Sequence, residues 1–140
     1  VTLQRPLTLG LGAPLMVAAS TTLVCAATWA GDPTTPGGPL PVCPTKALLG
    51  IDCPGCGSLR MIYSLLHGNV MAAARFNALG LAAVVLLVWA YLVWTYGRVT
   101  GRRIRSWQHH RWAAMVTLSL VLVWFVVRNI PFAPFSGLYV

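Results

Sequence analysis

The chain has 140 residues, of which 57% are hydrophobic and only 9% are charged, and its mean hydropathy is +0.73. A soluble domain carries about 25% charged residues, so this composition excludes a water-facing surface of ordinary size and indicates an integral membrane protein. The net charge of +8, without a surface of stacked aromatic and basic residues, predicts lipid contact and membrane orientation rather than a nucleic-acid partner.

Three apolar runs approach the roughly 20 residues that an α-helix needs to cross the hydrocarbon core of a bilayer. None of them shows amphipathic alternation, which disfavours the alternative of buried helices in a soluble core. The sequence therefore predicts an all-α integral membrane protein, with a single membrane domain over 1–140 and three transmembrane helices. The predicted spans lie at about 11–30, 78–97 and 112–130.

The loop 98–111, between the second and third spans, is short and densely basic. The positive-inside rule assigns such a loop to the cytoplasm, and Arg5 before the first span agrees. Because arginine greatly outnumbers lysine, as in GC-rich bacteria, we expect a multi-pass protein of a bacterial plasma membrane. Its N-terminus would be cytoplasmic, and its C-terminus and the 31–77 loop extracytoplasmic. Anionic lipid is the expected partner of the loop arginines, which are Arg98, Arg102, Arg103, Arg105 and Arg111.

The 31–77 loop is Cys-rich and changes character along its length. Its first part, 32–41, has too many prolines and glycines for a helix or a central strand. From Ser58, apolar residues recur at three- and four-residue intervals, which predicts a short helix that ends at Gly68. Asn69 can cap a second short helix over 70–76. We expect these two helices to lie on the outer membrane face as interfacial helices.

Three cysteines of this loop, Cys43, Cys53 and Cys56, carry its chemistry, and three interpretations remain open. A structural disulfide comes first, because thiols outside the cytoplasm oxidise. Cys43 bonded to Cys53 or Cys56 would close a loop of about ten residues and contribute around 2–3 kcal/mol. Redox activity of the C-x-x-C pair comes second, because a following helix lowers a thiol pKa, although a thioredoxin-like pattern is missing. Metal binding comes third, with His67 completing four zinc ligands.

Two other residues have alternative interpretations. Arg60 stands four residues after Cys56, where it can extend to the lipid headgroups, dock a carboxylate on a partner, or hold Asp52 or a loop carbonyl. Cys25 lies within the first span and is expected to pack as a small apolar residue. The chain has no glutamate, and its predicted spans carry no charge apart from Arg128 near the end of the third, so neither paired-carboxylate catalysis nor a proton relay is expected. We expect no cofactor and no catalytic activity.

The loop and the start of the second span resemble the bacterial domain of unknown function 2752 family. The resemblance covers Cys43 to about Ala90, and it departs from the family pattern at Asn77-Ala78, where Asn-Pro is frequent. The motifs that carry it are Cys43-Pro44, Ala47-Leu48-x-Gly50, Cys53-Pro54-Gly55-Cys56-Gly57, Arg60, Leu65-x-x-Gly68 and Arg75-Phe76-Asn77-Ala78-Leu79-Gly80.

This resemblance implies a role, since similar small actinobacterial proteins are accessory subunits of the cytochrome bcc–aa3 respiratory supercomplex. We therefore expect a non-catalytic accessory subunit of a larger bacterial membrane complex. The alternative is a membrane thiol–disulfide oxidoreductase that uses Cys53 and Cys56.

Overall fold

The computed structural model describes residues 7–40, 43–102 and 104–132, and its regular elements there are all helical. The all-α prediction is confirmed for these residues. Five α-helices and one 3-10 turn (η1) follow one another along the chain: α1 Leu7–Gly31, α2 Pro44–Leu49, α3 Ser58–Leu66, α4 Val70–Thr100, η1 Trp107–His109 and α5 Ala113–Arg128.

Two of these helices are long and apolar enough to cross a membrane. They are Leu11–Gly31 within α1 and Val70–Thr100, and only 11% of the apolar window of each is buried inside the chain. The predicted spans 11–30 and 78–97 lie within them. The third predicted span is an apolar helix of 16 residues, Ala113–Arg128. At 1.5 Å per residue it is about 24 Å long, which is shorter than the roughly 30 Å hydrocarbon core.

Asn77 divides α4 into two parts. Its backbone is extended, with φ −161° and ψ 88°, so a short helix over 70–76 precedes a long one over 78–100. The Asn77 side chain accepts a hydrogen bond from the Gly80 N–H at 2.8 Å and so caps the longer part. Asn69 caps the short part in the same way, through the Ala72 N–H at 2.9 Å. The second span therefore begins at its own cap, directly after a short helix.

The packed part of the described chain lies where α3 meets α4 and α1. Met61 on α3 and Ala73 on α4 are almost fully buried there. Nearer the N-terminus of α1, the Tyr91 hydroxyl of α4 donates to the Pro14 carbonyl at 3.0 Å. Because α3 turns back at Gly68 (φ 74°) onto the start of α4, the Cys-rich loop is held at one end of the α1–α4 pair.

Helix α5 reaches the same end of the molecule. Its last residue, Arg128, is buried, and Arg128 and Asn129 both contact the Cys-rich loop. At its other end, η1 lies beside α4, where the Trp107 indole N–H donates to the Leu86 carbonyl at 3.3 Å. Both ends of α5 are therefore tied to other segments, and the apolar residues between them are largely exposed.

Candidate site at the three-cysteine loop

A short helix brings the first loop cysteine beside the other two. Cys43 directly precedes α2, and Pro44 occupies the first helical position, where its missing N–H costs nothing. Gly50 ends the helix in the left-handed conformation, with φ 68°. Helix α2 therefore reverses the chain within a few residues, and Cys53 returns to Cys43.

The segment Cys53–Gly57 forms a tight turn that places the remaining two thiols together. The Cys56 N–H donates to the Cys53 carbonyl at 3.0 Å, and the Ser58 N–H donates to the Gly55 carbonyl at 3.1 Å. Gly57 then takes a positive φ of 78°, which glycine adopts without strain, and α3 begins. Pro54 and Gly55 thus supply the turn chemistry that makes the side chains of Cys53 and Cys56 converge.

The three sulfur atoms form one cluster, and all lie within 4.8 Å of one another. The Cys43 and Cys53 Sγ atoms are 3.3 Å apart, and those of Cys53 and Cys56 are 3.2 Å apart. These separations exceed the roughly 2.05 Å of a disulfide bond, and the structure holds all three as thiols. Cys53 contacts both other sulfur atoms, so it is the shared partner of either cross-link. The disulfide itself stays a prediction.

The pKa values of the Cys43 and Cys56 thiols are shifted in opposite directions. The backbone N–H of Lys46, helped by the Cys53 and Cys56 thiols, lowers the pKa of Cys43 to about 6. Burial raises the pKa of Cys56 to about 12, and the hydrogen bond with Cys53 acts in the same direction. At neutral pH, Cys43 is therefore the thiolate of this pair and Cys56 the neutral thiol.

A network of ion pairs around Asp52 lies beside the three-cysteine cluster. Asp52, which precedes Cys53, is fully buried. Its carboxylate lies 3.1 Å from the Lys46 ammonium and 3.8 Å from the Arg128 guanidinium. Arg128 also donates to the Cys56 carbonyl at 2.7 Å. The charged end of α5 is therefore joined to both sides of the Cys53–Cys56 turn.

Two asparagines complete this support. The Asn129 side chain accepts from the Asp52 N–H at 3.0 Å and donates to the Asp52 carbonyl at 2.8 Å. The Asn77 side chain, which caps the second span, donates to the Pro54 carbonyl and to the Ser58 hydroxyl, both at 3.1 Å. The turn is thus fixed by side chains from two different apolar helices.

Sequence reasoning missed this support. It placed Arg128 and Asn129 at the end of the third predicted span, 112–130, and gave neither a role in the loop. A signal was available, since Asp52 is one of only two acidic residues in the chain and a buried carboxylate needs a cation beside it. The sequence analysis offered Arg60 as a possible cation beside Asp52, whereas in the structure the cations beside Asp52 are Lys46 and Arg128.

Arg60 and His67 lie elsewhere in the loop region. Arg60 donates through Nε to the Pro33 carbonyl at 3.2 Å, which ties α3 to the Pro/Gly-rich segment. Its contact with a partner stays a prediction. His67 follows the last residue of α3, and its ring stacks on Trp29 with centroids 4.0 Å apart. Among the described residues, the group of possible metal ligands comprises the three cysteines and does not include His67.

A cavity of about 670 Å³ lies between the Pro/Gly-rich segment and the cysteine cluster. Cys43 and Cys56 both line it, together with Lys46, Arg60 and Asp32. Thr34 and Thr35 donate hydrogen bonds to the Asp32 carboxylate and lower its pKa. The cavity therefore adjoins two residues of the cysteine cluster, of which Cys56 is buried.

The described arginines of the basic loop are exposed, and their contact with anionic lipid stays a prediction. They are Arg98, Arg102, Arg105 and Arg111, and Arg103 lies outside the described residues, as does Arg5. The Arg98 guanidinium lies 5.2 Å from the Trp94 ring centroid, and the Arg111 guanidinium 4.9 Å from that of Trp112. Tryptophan beside arginine is typical of a membrane interface.

Residues 43–91 match the family described as "Protein of unknown function (DUF2752)". The match contains the cysteine cluster, Asp52, α3 and Asn77, and it ends before the basic loop and α5. No curated protein and no solved structure matches the chain.

Proposed function

We propose that this chain is a non-catalytic accessory subunit of a larger complex in a bacterial plasma membrane, namely the respiratory cytochrome bcc–aa3 supercomplex. In this proposal all three apolar helices cross the membrane. The N-terminus and the basic loop face the cytoplasm, and the Cys-rich loop and the C-terminus face outward. The choice of complex rests on the family resemblance, and the accessory role rests on the exposed helix surfaces.

The observation that carries the proposal is the large exposed apolar surface of the second span. Five consecutive residues, 85–89, have exposed fractions between 45% and 64%. Five residues cover more than one full helical turn, so exposed apolar surface runs around α4 at this level. Such a surface must contact lipid or the helices of other proteins.

The small internal core supports a role within an assembly. Only five apolar side chains are buried among the described residues, and they are Pro14, Cys56, Met61, Ala73 and Ala90. Helices in lipid associate through close packing and interhelical hydrogen bonds rather than a hydrophobic driving force. A chain with so little internal packing gains stability when its helices pack against those of a partner. Its Cys-rich loop, in contrast, is already held by internal hydrogen bonds and an ion pair.

Mild-detergent purification tests the accessory role. A tagged chain is expressed at its native level, and the co-purified proteins are quantified by mass spectrometry. We expect cytochrome bc and oxidase subunits in a fixed ratio to the chain. An unrelated tagged three-span protein at the same level is the control. Recovery of the chain alone, or of respiratory subunits at the level of the control, would contradict the proposal.

Cysteine labelling in intact cells tests the orientation. Thr34→Cys and Gln108→Cys each place a thiol at an exposed position of one loop. With a membrane-impermeant maleimide and peptide mapping, we expect Thr34→Cys to be labelled in intact cells and Gln108→Cys only after permeabilisation. The reverse pattern would invert the topology.

A second candidate function is thiol–disulfide exchange, which the sulfur contacts favour. Cys53 lies 3.2 Å from Cys56 and 3.3 Å from Cys43. One thiolate would attack a partner disulfide and release one partner thiolate, and Cys53 would then displace the second. The chain would end with one new disulfide and would have passed two electrons to the partner. Serine at Cys53 should abolish this exchange without lowering the amount of protein in the membrane.

A further inference from the structure

The cysteine cluster has the size of a metal coordination shell. Around a tetrahedral cation with bonds of about 2.3 Å to sulfur, ligand sulfur atoms lie roughly 3.8 Å apart. Two Sγ pairs in the cluster are 3.2 and 3.3 Å apart, and the third lies within 4.8 Å. Shifts of about half an ångström reach the required geometry. We propose that Cys43, Cys53 and Cys56 form a tri-thiolate site for a closed-shell thiophilic cation, Zn²⁺ or Cu⁺.

The ligand chemistry selects this class of cation. Thiolates are soft ligands that favour Zn²⁺ and Cu⁺ over Mg²⁺ or Ca²⁺, which take oxygen. Cys53 and Cys56 have the spacing of two ligands from one turn, and Cys43 adds a third from a separate element. The Cys53 N–H donates to the Cys56 sulfur at 3.2 Å, a type of contact that orients and stabilises a metal-bound thiolate.

The surrounding charges balance a zinc-bound cluster. Three thiolates and one Zn²⁺ together carry one negative charge. Lys46, Arg128 and Asp52 form one network beside them and together carry one positive charge. Arg128 is held against the cluster through the Cys56 carbonyl at 2.7 Å. With Cu⁺ the same group of residues retains one negative charge.

The site differs from the four-ligand arrangement expected from the sequence, because His67 stacks on Trp29 instead. Three thiolates satisfy a trigonal Cu⁺. Zn²⁺ would take a fourth ligand, and the cavity lined by Cys43 and Cys56 gives water or a partner side chain access to it. The proposal goes beyond the accessory role and holds whether or not the chain binds the respiratory supercomplex.

Metal titration of the reduced full-length chain in mild detergent tests the site. Under anaerobic conditions, Zn²⁺ is titrated against a chromophoric zinc chelator, and Cu⁺ separately against a chromophoric Cu⁺ chelator. We expect one equivalent of at least one cation per chain, and the tighter one is the occupant. Serine at Cys43, Cys53 or Cys56 should weaken binding more than about 100-fold, beyond the loss for outer-shell contacts. Cys25→Ser, which removes the cysteine outside the cluster, should leave it unchanged.

Thiol trapping in intact cells tests the same site without any substitution. A bound cation makes the three loop cysteines of the wild-type chain resistant to alkylation until a chelator is added. A disulfide makes two of them resistant until a reductant is added. Release by chelator supports the proposal. Release by reductant alone, free alkylation before either treatment, or failure of both titrations to reach one equivalent would overturn it, as would binding that survives all three serine substitutions.

Discussion

Replacing Asp52 by asparagine is the sharpest perturbation of the support beneath the cysteine cluster. The substitution keeps the shape of the side chain and removes its negative charge. The two hydrogen bonds to Asn129 use the backbone N–H and carbonyl of residue 52, so they are retained. Asp52→Asn therefore isolates the charge interaction with Arg128 and Lys46.

The magnitude follows from burial. Arg128 is 1% exposed and Asp52 is fully buried, with 3.8 Å between their charged atoms. At an effective dielectric constant of about 20, that separation corresponds to roughly 4 kcal/mol. Removal of one partner of a buried ion pair costs about 3–5 kcal/mol. Lys46 adds little, because its side chain is 35% exposed and water screens it. We expect Asp52→Asn to lower the free energy of unfolding by about 3–4 kcal/mol.

Equilibrium unfolding in mixed detergent micelles measures this loss, with thermal denaturation in mild detergent as a second readout. The matched control is Asp32→Asn, which removes the other acid of the chain from an exposed turn and should have a much smaller effect. The double variant Asp52→Asn with Arg128→Met should recover part of the loss, since it leaves no buried charge but also removes the hydrogen bond from Arg128 to the Cys56 carbonyl. An Asp52→Asn protein as stable as the Asp32→Asn control would refute the reasoning.

Three further outcomes follow from the same contacts. In the reduced, metal-free protein, the rate of Cys43 alkylation should rise with pH along a titration curve whose midpoint lies near the Cys43 pKa of about 6. Because the thiolate is the form that reacts, the rate falls tenfold per pH unit below that value. A midpoint near pH 9 would contradict this prediction. Asn77→Ala should destabilise the protein by about 2–3 kcal/mol through a lost cap and a buried carbonyl, against about 1 kcal/mol or less for the exposed cap Asn69→Ala, both measured by unfolding in micelles. Gly80→Ala should cost about 1–3 kcal/mol, because the new methyl group would lie 2.9 Å from the Asn77 side chain, whereas Gly12→Ala meets nothing within 4 Å and should be neutral or slightly stabilising in thermal denaturation.

Much of the helical architecture could be predicted because its signals are local. The apolar runs in α1 and α4 have the length that a bilayer requires, α5 is a shorter apolar run, and each can be recognised within about 20 residues. The short helix that begins at Ser58 was equally predictable, since Gly68 takes the positive φ that ends a helix. The third predicted span ran to residue 130, whereas α5 ends at Arg128. Arg128 and Asn129 contact the Cys-rich loop, and the apolar pattern of the helix contains no signal for those contacts.

The candidate site could be predicted only in its components. Cysteine type and spacing identified Cys43, Cys53 and Cys56 as the residues that carry chemistry. Their convergence depends on the reversal through α2 and on the turn at Gly57, and the choice among a disulfide, a redox pair and a metal site turns on distances that spacing does not supply. His67 was grouped with them by residue type, but its stacking on Trp29 keeps it outside the cluster.

The amino-acid sequence by itself determined the all-helical class, the apolar helices and the three cysteines of the Cys-rich loop. These properties follow from composition and short-range periodicity, which act residue by residue along the chain. Only the tertiary structure decided that Asp52 meets Asn129, a residue 77 positions away, that Arg128 is buried beside Cys56, and that Asn77 joins a span to the turn. Such pairings arise when separate helices pack, and the free energy that selects them is a property of the assembled chain.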